Sequence, residues 1–349
     1  MRFVVDILHP IDAHIFHHFI VKMSARGHEF LITSRQKECA TDLLDAWGMD
    51  HHVLSSRGKG IAGKVLELGV RTAKFLKLAR AFDPDYLLSE AGPGVAAAGP
   101  FLRARTIVLH DNEQPRFPNR TIASLTDAYI VSSGFAQQAG SRQVQYQGYQ
   151  QLAYLHPNVF TAEVDVVRRH GLVSDEPLFV VRFVDMDAYH DLGEAGFSYA
   201  AKAELIRKLA VRGRVVITSE ERLPEEFQQY QLAIPFEDIH HVLAYADLLV
   251  GESCTMAAEA AVLGTHGFWI ARTWRGCIND LSDRYGLVHH FSDTQAHEAI
   301  AEIETLLDRP NLKADGRERA DKLLNENVDL TQWLIDFIER DEREHRRSN

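Results

Sequence analysis

Apolar runs of strand length alternate with helical runs twice over along this chain, and that alternation leaves few folds open. "RFVVDIL" precedes "HIFHHFIVKMSARG", and "HEFLITS" precedes "KECATDLLDAWG". A basic helical run, "GKVLELGVRTAKFLKLARAF", then leads to "DYLLSE", "RTIVLHD" and "DAYIVSS". Strands spaced by helices of this length are βαβ units, which build a mainly parallel sheet. The rhythm breaks at "QVQYQGYQQLAYLHPNVF" and resumes with "PLFVVRF", "RGRVVITS", "YQLAIPF", "ADLLVGE" and "THGFWIA". A chain of 349 residues is long enough for two such domains with separate cores. The expected fold is therefore α/β, with two Rossmann-like, doubly wound domains facing across a cleft. Residues 1–150 form the first, 151–330 the second, and 331–349 a C-terminal helix with a charged tail.

The formal net charge of -11 argues against duplex nucleic acid as a partner. Three scattered cysteines, Cys39, Cys254 and Cys277, suit neither a disulfide framework nor a zinc site. "MRFVVDILHP" reads as a first strand rather than a signal peptide, and no run approaches the ~18 apolar residues of a membrane span. These features predict a cytoplasmic protein with no metal and no cofactor beyond its substrate.

Ligands of open α/β sheets bind beyond the carboxyl ends of the strands. "GESCTMAAEAAVLGT" occupies such a place, at the end of "YADLLV". A turn of small residues at a helix start presents backbone N–H groups and the positive end of the helix dipole, which suits an anion. Glu259 is the one carboxylate in the apolar helix that follows. It cannot complete a capping box, because three residues beyond Ser253 is Met256 and three beyond Thr255 is Ala258. A carboxylate one turn into a phosphate-binding helix can instead accept hydrogen bonds from ribose hydroxyls. In "VVRFVDMDAYHDLG", Arg182 offers a fixed bidentate charge that can neutralise a diphosphate. Asp185, Asp187, His190 and Asp191 are spaced too irregularly for a metal set and read as solvated or capping residues.

On the N-terminal side, His14 in "HPIDAHIFHH" and His110 and Asp111 in "VLHDNEQPRFPNR" are candidates for proton transfer, with Glu113 behind them. His14 and His18 lie one helical turn apart but lack the third ligand of a zinc helix. The basic run places Lys64, Arg71 and Lys74 on one helical face, with Leu66, Val70, Phe75 and Leu76 for burial. That stripe can meet an anionic membrane surface or a lipid-linked phosphate. Its alternative is an ordinary surface helix with a Glu67–Arg71 pair.

"FEDIHHVLAYADLLVGESCTMAAEAAVLGT" resembles the nucleotide-binding segment of two-domain glycosyltransferases of the GT-B fold. It is similar to that of the N-acetylglucosaminyltransferase completing lipid II and of the non-hydrolysing UDP-N-acetylglucosamine 2-epimerase. The matching residues are Asp247, Ser253, Thr255, Glu259 and Gly264. Over most of its length the chain resembles the GT-B-like domain of unknown function 354 family, through "QGYQQLAYLHP", "VVRF" and "HHVLAYADLLVGESCTMAAEAAVLG". Ala13-His14-Ile15-Phe16 is similar to the acceptor-side loop of the lipid II enzyme, with "HPID" where that loop has its glycine-rich turn. His110 falls where the epimerase has His-x-Glu. Gly264-Thr265-His266 replaces the usual Gly-Thr-Pro, which leaves the loop after Thr265 less rigid.

The resemblance implies a glycosyltransferase that uses a nucleotide-activated sugar, UDP-linked and metal-independent, in surface or exopolysaccharide assembly. Ser253, Cys254, Thr255 and Arg182 would hold the diphosphate, Glu259 the ribose, and Pro235 and Phe236 the base. His14, His110 and Asp111 would meet a glycan or lipid-linked acceptor at the inner face of the membrane. The C-terminal helix would cross back to the N-terminal domain. The alternatives are an epimerase acting on UDP-N-acetylglucosamine and a nucleotide-sugar-binding protein without catalysis.

Overall fold

The computed structural model describes residues 1–37, 39–56, 60–114, 116–183, 197–219 and 223–348, with backbone alone at 60–62, 64–65 and 346–348. Asp185, Asp187, His190, Asp191 and the side chain of Lys64 lie outside the described residues. The chain forms two compact units, Met1–Tyr154 together with the stretch from Val328 onward, and Leu155–Asn327.

Unit 1 holds a seven-stranded sheet of β1 (Arg2–Ile7), β2 (Glu29–Gln36), β3 (His51–Ser56), β4 (Tyr86–Glu90), β5 (Arg105–His110), β6 (Ala128–Ser132) and β7 (Gln143–Tyr146). Its order is β3-β2-β1-β4-β5-β6-β7, and every neighbouring pair is parallel. The chain winds outward from β1 to β3, returns to β4 and winds the other way, so the switch point lies between β1 and β4. Phe3 anchors the core, stacked on Phe30 and Tyr86 at 5.0 and 5.5 Å. The last helix, Leu330–Ser348, packs within this unit. Trp333 lies 5.5 Å from Tyr146, the Thr331 hydroxyl donates to the Ala153 carbonyl at 2.7 Å, and Asp341 accepts from Arg105 and the Tyr86 hydroxyl.

The helix Gly60–Phe82 keeps Lys74 outward and Phe75 inward but departs from the expected stripe at Arg71, Leu66 and Val70. Arg71 is 4% exposed, pairs with Asp6 on β1 and donates to the Ser34 carbonyl at 3.1 Å. Glu67 pairs with Arg35 at 2.7 Å, not with Arg71. Leu66, Leu68 and Val70 are exposed instead, while Phe75 is buried. The reason is electrostatic: a carboxylate at Asp6, inside the sheet, demands a counter-charge, and Arg71 supplies it. An anionic surface therefore cannot be met through Arg71. Lys74 remains exposed and donates to the Leu54 carbonyl at 2.9 Å. Among the described residues no helix is long and apolar enough to cross a membrane.

Unit 2 holds a five-stranded parallel sheet of β8 (Leu178–Phe183), β9 (Arg214–Ser219), β10 (Leu248–Gly251), β11 (Gly267–Ile270) and β12 (Val288–Phe291). The order β12-β11-β10-β8-β9 puts its switch point between β8 and β10. "YQLAIPF" is not a strand; it touches the sheet through a single bridge, Gln231 to Ile217. Short 3₁₀-helices, Glu225–Tyr230 and Phe236–Asp238, flank it.

The loop at Gly264-Thr265-His266 is held firmly, contrary to expectation. Gly264 takes φ +84 as the residue after the cap of helix Cys254–Val262, a left-handed conformation suited to glycine. The Thr265 hydroxyl donates to the Leu243 carbonyl at 2.7 Å. His266 is buried against His289 and lies 3.4 Å from Asp315, so side-chain contacts do what a proline would do by covalent restraint. The helix Leu312–Glu326 approaches so closely that a Cβ on Gly316 would sit 2.2 Å from the Gly264 carbonyl oxygen. Gly316→Ala is expected to cost ~1–3 kcal/mol through that overlap. Gly69→Ala, where a Cβ meets nothing within 4 Å, should gain about 0.5–1 kcal/mol of helix stability. Denaturant melts of the two variants check both signs.

Candidate functional site

Each unit gathers polar groups at its own switch point. In unit 2, Gly251 ends β10 and pairs with Arg182 of β8. A Cβ at position 251 would lie 2.4 Å from the Arg182 carbonyl oxygen, so only glycine lets the strand end pass there. Ser253 caps the helix Cys254–Val262 and its hydroxyl accepts from the Met256 N–H at 3.3 Å. That hydroxyl keeps its own hydrogen to donate, and the first helical amides at Cys254 and Thr255 have no acceptor within the helix. Ser253, Cys254, Thr255 and Arg182 are all half-buried.

Glu259 departs from the expected, partly exposed carboxylate. It is 5% exposed, and its Oε1 lies 3.2 Å from Nε2 of His240, itself buried. The helix bearing Glu259 packs against β11 and two neighbouring helices, which carries the carboxylate inward. His240 belongs to Ile239–Tyr245, the helix that follows the turn opened by Pro235 and Phe236. Pro235 is exposed and Phe236 is 53% exposed, an aromatic face open to stacking. Unit 2 thus ties Phe236 to Glu259 through one short helix.

Nothing local in the sequence marks Glu252 and Lys202. Their side chains pair at 2.8 Å with both largely buried, and the Lys202 ammonium lies 4.8 Å from the centre of the Phe183 ring. The Glu252 carbonyl also accepts from the Trp269 indole at 3.3 Å. This neutralised pair fixes the residue before the Ser253 cap.

In unit 1, Asp12 opens the helix Pro10–Ala25 in a capping box with His9 and accepts from the Leu8 and His9 amides at 2.7 and 3.1 Å. Complete burial pushes its carboxyl well above the usual range, and the charge of Glu90 adds to the rise. Glu90 closes β4, and its Oε1 lies 3.4 Å from Nδ1 of His110, which closes β5. Burial pushes the His110 imidazole down, but the close Glu90 carboxylate, with the charge of Asp111, more than offsets it and raises the pKa. The Tyr129 hydroxyl is pushed up by burial and then by Glu90, Asp111 and Glu113. The hydroxyls of Tyr129 and Ser132 are buried with no hydrogen-bond partner among the described residues. Glu113 is buried and accepts from the Ala136 amide at 3.3 Å, a tie to the loop after β6.

His14 stands apart from this cluster. Its ring stacks on Tyr154 at 5.0 Å and meets Trp47 edge-on at 5.2 Å. Among the described contacts none joins it to Glu90 or His110. The structure therefore brings together His110, Asp111 and Glu90 in one unit, and Arg182, Ser253, Cys254, Thr255 and Glu259 around one switch point in the other. Glu90 escaped the sequence reading because its importance depends on strand order: only the return of the chain to β4 beside β1 makes "DYLLSE" end at a switch point. No group of three histidines, cysteines or carboxylates among the described residues could hold a metal ion.

The family model for a protein of unknown function, DUF354, matches residues 1–271. The chain belongs to the DUF354 family. An uncharacterised protein of Methanocaldococcus jannaschii, MJ0665, is 20% identical over 273 residues, covering 74% of this chain and 79% of its own. Among solved structures, this DUF354 member is similar to the UDP-GlcNAc 2-epimerase of Neisseria meningitidis bound to UDP-GlcNAc. The TM-score is 0.70 at 10% identity over 97% of this chain and 100% of that one. The spinosyn rhamnosyltransferase SpnG with thymidine diphosphate gives 0.65 at 15% identity, and MurG of Acinetobacter baumannii gives 0.60 at 14%. Both cover 97% of this chain and 100% of their own. These likenesses show the GT-B fold, with two Rossmann-like domains.

Proposed function

We propose that this DUF354 protein is a glycosyltransferase that uses a nucleotide-diphosphate sugar, with UDP as the nucleotide. The observation that carries the reading is the meeting of Arg182, the Gly251–Thr255 turn and the Glu259 helix at the switch point between β8 and β10. An open α/β sheet binds its ligand at that point. Backbone amides and the Arg182 guanidinium suit a diphosphate, and Glu259 suits a ribose diol. Arg182 supplies fixed positive charge to the leaving diphosphate, which makes the transfer metal-independent. In unit 1, Glu90 and His110 move the proton of an acceptor hydroxyl. The acceptor is a glycan or a lipid-linked glycan of surface or exopolysaccharide assembly.

A second reading has one specific observation behind it. His110 is held toward its protonated form beside several carboxylates, and such an acid–base set also serves proton transfer at a sugar carbon, as epimerisation requires. One series of assays separates the classes. Calorimetric titration with UDP should show saturable binding, and its absence overturns the reading. UDP release from UDP-N-acetylglucosamine that rises with an added glycan supports transfer. Interconversion of the sugar with no acceptor supports epimerisation. Binding without turnover in either assay leaves a nucleotide-sugar-binding protein.

A further inference from the structure

We propose that unit 2 carries a separate site for a small amphipathic carboxylate, in a cavity where Arg317 is the one lining cation among the described residues. The cavity has a volume of about 240 Å³. It lies among the C-terminal ends of the helices Ile239–Tyr245 and Cys254–Val262 and one face of Leu312–Glu326. Ligands of the sheet belong beyond the carboxyl ends of the strands, where Cys254–Val262 begins, so this cavity sits at the opposite end of that helix from the diphosphate turn. Phe160, Val262, Leu263 and Leu324 give it apolar walls, and Tyr245 and Arg317 give it hydrogen-bond donors.

Arg317 differs from its neighbours in charge balance. The other cations of its helix are matched: Lys313 with Asp247 at 2.9 Å, Arg319 with Asp315 at 2.7 Å, and Lys322 with Glu326 at 4.0 Å. Among the described residues no carboxylate reaches Arg317, in a chain with a net charge of -11. Nor is its position loose. Its Cα and Cγ lie against Gly264, within 3.2 and 3.3 Å of where a Cβ there would stand, and Gly316 beside it has no room for a side chain. The glycine contact thus fixes the root of the Arg317 side chain, whose exposed end lines the rim of an apolar hollow. A planar fork of donors over an apolar cavity fits a ligand with a carboxylate at one end and a compact hydrocarbon body at the other. A volume equal to roughly eight waters limits that body to about one aromatic ring or a short branched chain.

The test uses phenylacetate and its neutral, nearly isosteric counterpart phenylacetamide, titrated into the full chain and followed by ligand-detected NMR. Phenylacetate should bind saturably and roughly three- to tenfold more tightly than phenylacetamide, the range expected of a partly exposed guanidinium–carboxylate pair. Arg317→Gln should erase that difference and leave phenylacetamide binding as it was. Ala162→Phe, a change at a partly exposed position of the wall, should block both probes. Absence of saturable binding overturns the proposal. So does equal binding of the two probes to the unaltered chain, a preference that survives Arg317→Gln, or binding indifferent to Ala162→Phe. None of these outcomes depends on nucleotide binding, so the site stands or falls apart from the proposed function.

Discussion

Glu90→Gln is expected to lower turnover of a UDP-sugar by roughly 10²- to 10³-fold, the usual worth of a positioned acid–base group, while UDP binding stays unchanged. The glutamine keeps the length and most of the packing of Glu90 but removes the charge that faces His110 at 3.4 Å. Burial alone would depress the His110 pKa, and Glu90 is the chief support that reverses this. In the variant the pKa of His110 should therefore fall, and the pH–rate limb that it governs should move toward acid. Linkage gives an independent readout. A histidine raised above its unfolded value of 6.5 contributes stability that is complete below pH 6.5 and is lost as pH rises through the folded pKa. Glu90→Gln should accordingly destabilise the protein more below pH 6.5 than above the folded pKa of His110. Turnover within a few-fold of the parent, with an unmoved pH limb, would remove Glu90 and His110 from the chemistry and leave them a buried structural pair.

The pattern of apolar runs makes most of the fold legible, because a strand covered on both faces by helices reads as a continuous apolar stretch. Its exceptions have physical causes. β12 is "VHHF", whose histidines hide a strand in which His289 stacks on Phe268 at 4.5 Å. β7, "QVQY", is polar because it lies at the sheet edge. "YQLAIPF" has strand composition, but Pro235 and the turns around it leave one bridge only. The site was legible where chemistry is local. A turn of Gly, Ser, Cys and Thr ahead of a helix can be read from adjacent residues. Where it depended on distant residues it could not be read. Arg71 faces inward because Asp6, sixty-five positions earlier, lies beneath it, and Glu90 matters because of strand order. Glu259 shows both sides: its register ruled out a capping box, but its burial depends on His240 from another helix.

Glu259→Gln is expected to weaken UDP binding by about 1–2 kcal/mol, roughly tenfold, as a charge-assisted bond to the ribose becomes a neutral one. A partly exposed carboxylate would have left folding untouched, but the structure adds a stability cost. The carboxylate and the His240 imidazole are buried together at 3.2 Å, and an amide still offers an acceptor of the same reach without the charge. That exchange should cost ~1 kcal/mol of stability. Glu259→Ala removes the carboxylate altogether and should cost more, about 1–3 kcal/mol, because the buried His240 nitrogen that faces it loses that acceptor. His240→Gln separates the two roles. It also breaks the pair and should lower the melting temperature, yet it leaves the Glu259 carboxylate in place for the ribose. Calorimetry with UDP and a thermal melt on the three variants give the answer. If Glu259 holds the ribose, affinity falls in both Glu259 variants and persists in His240→Gln. If all three lose stability and none loses UDP affinity, Glu259 serves only to fasten two helices of unit 2.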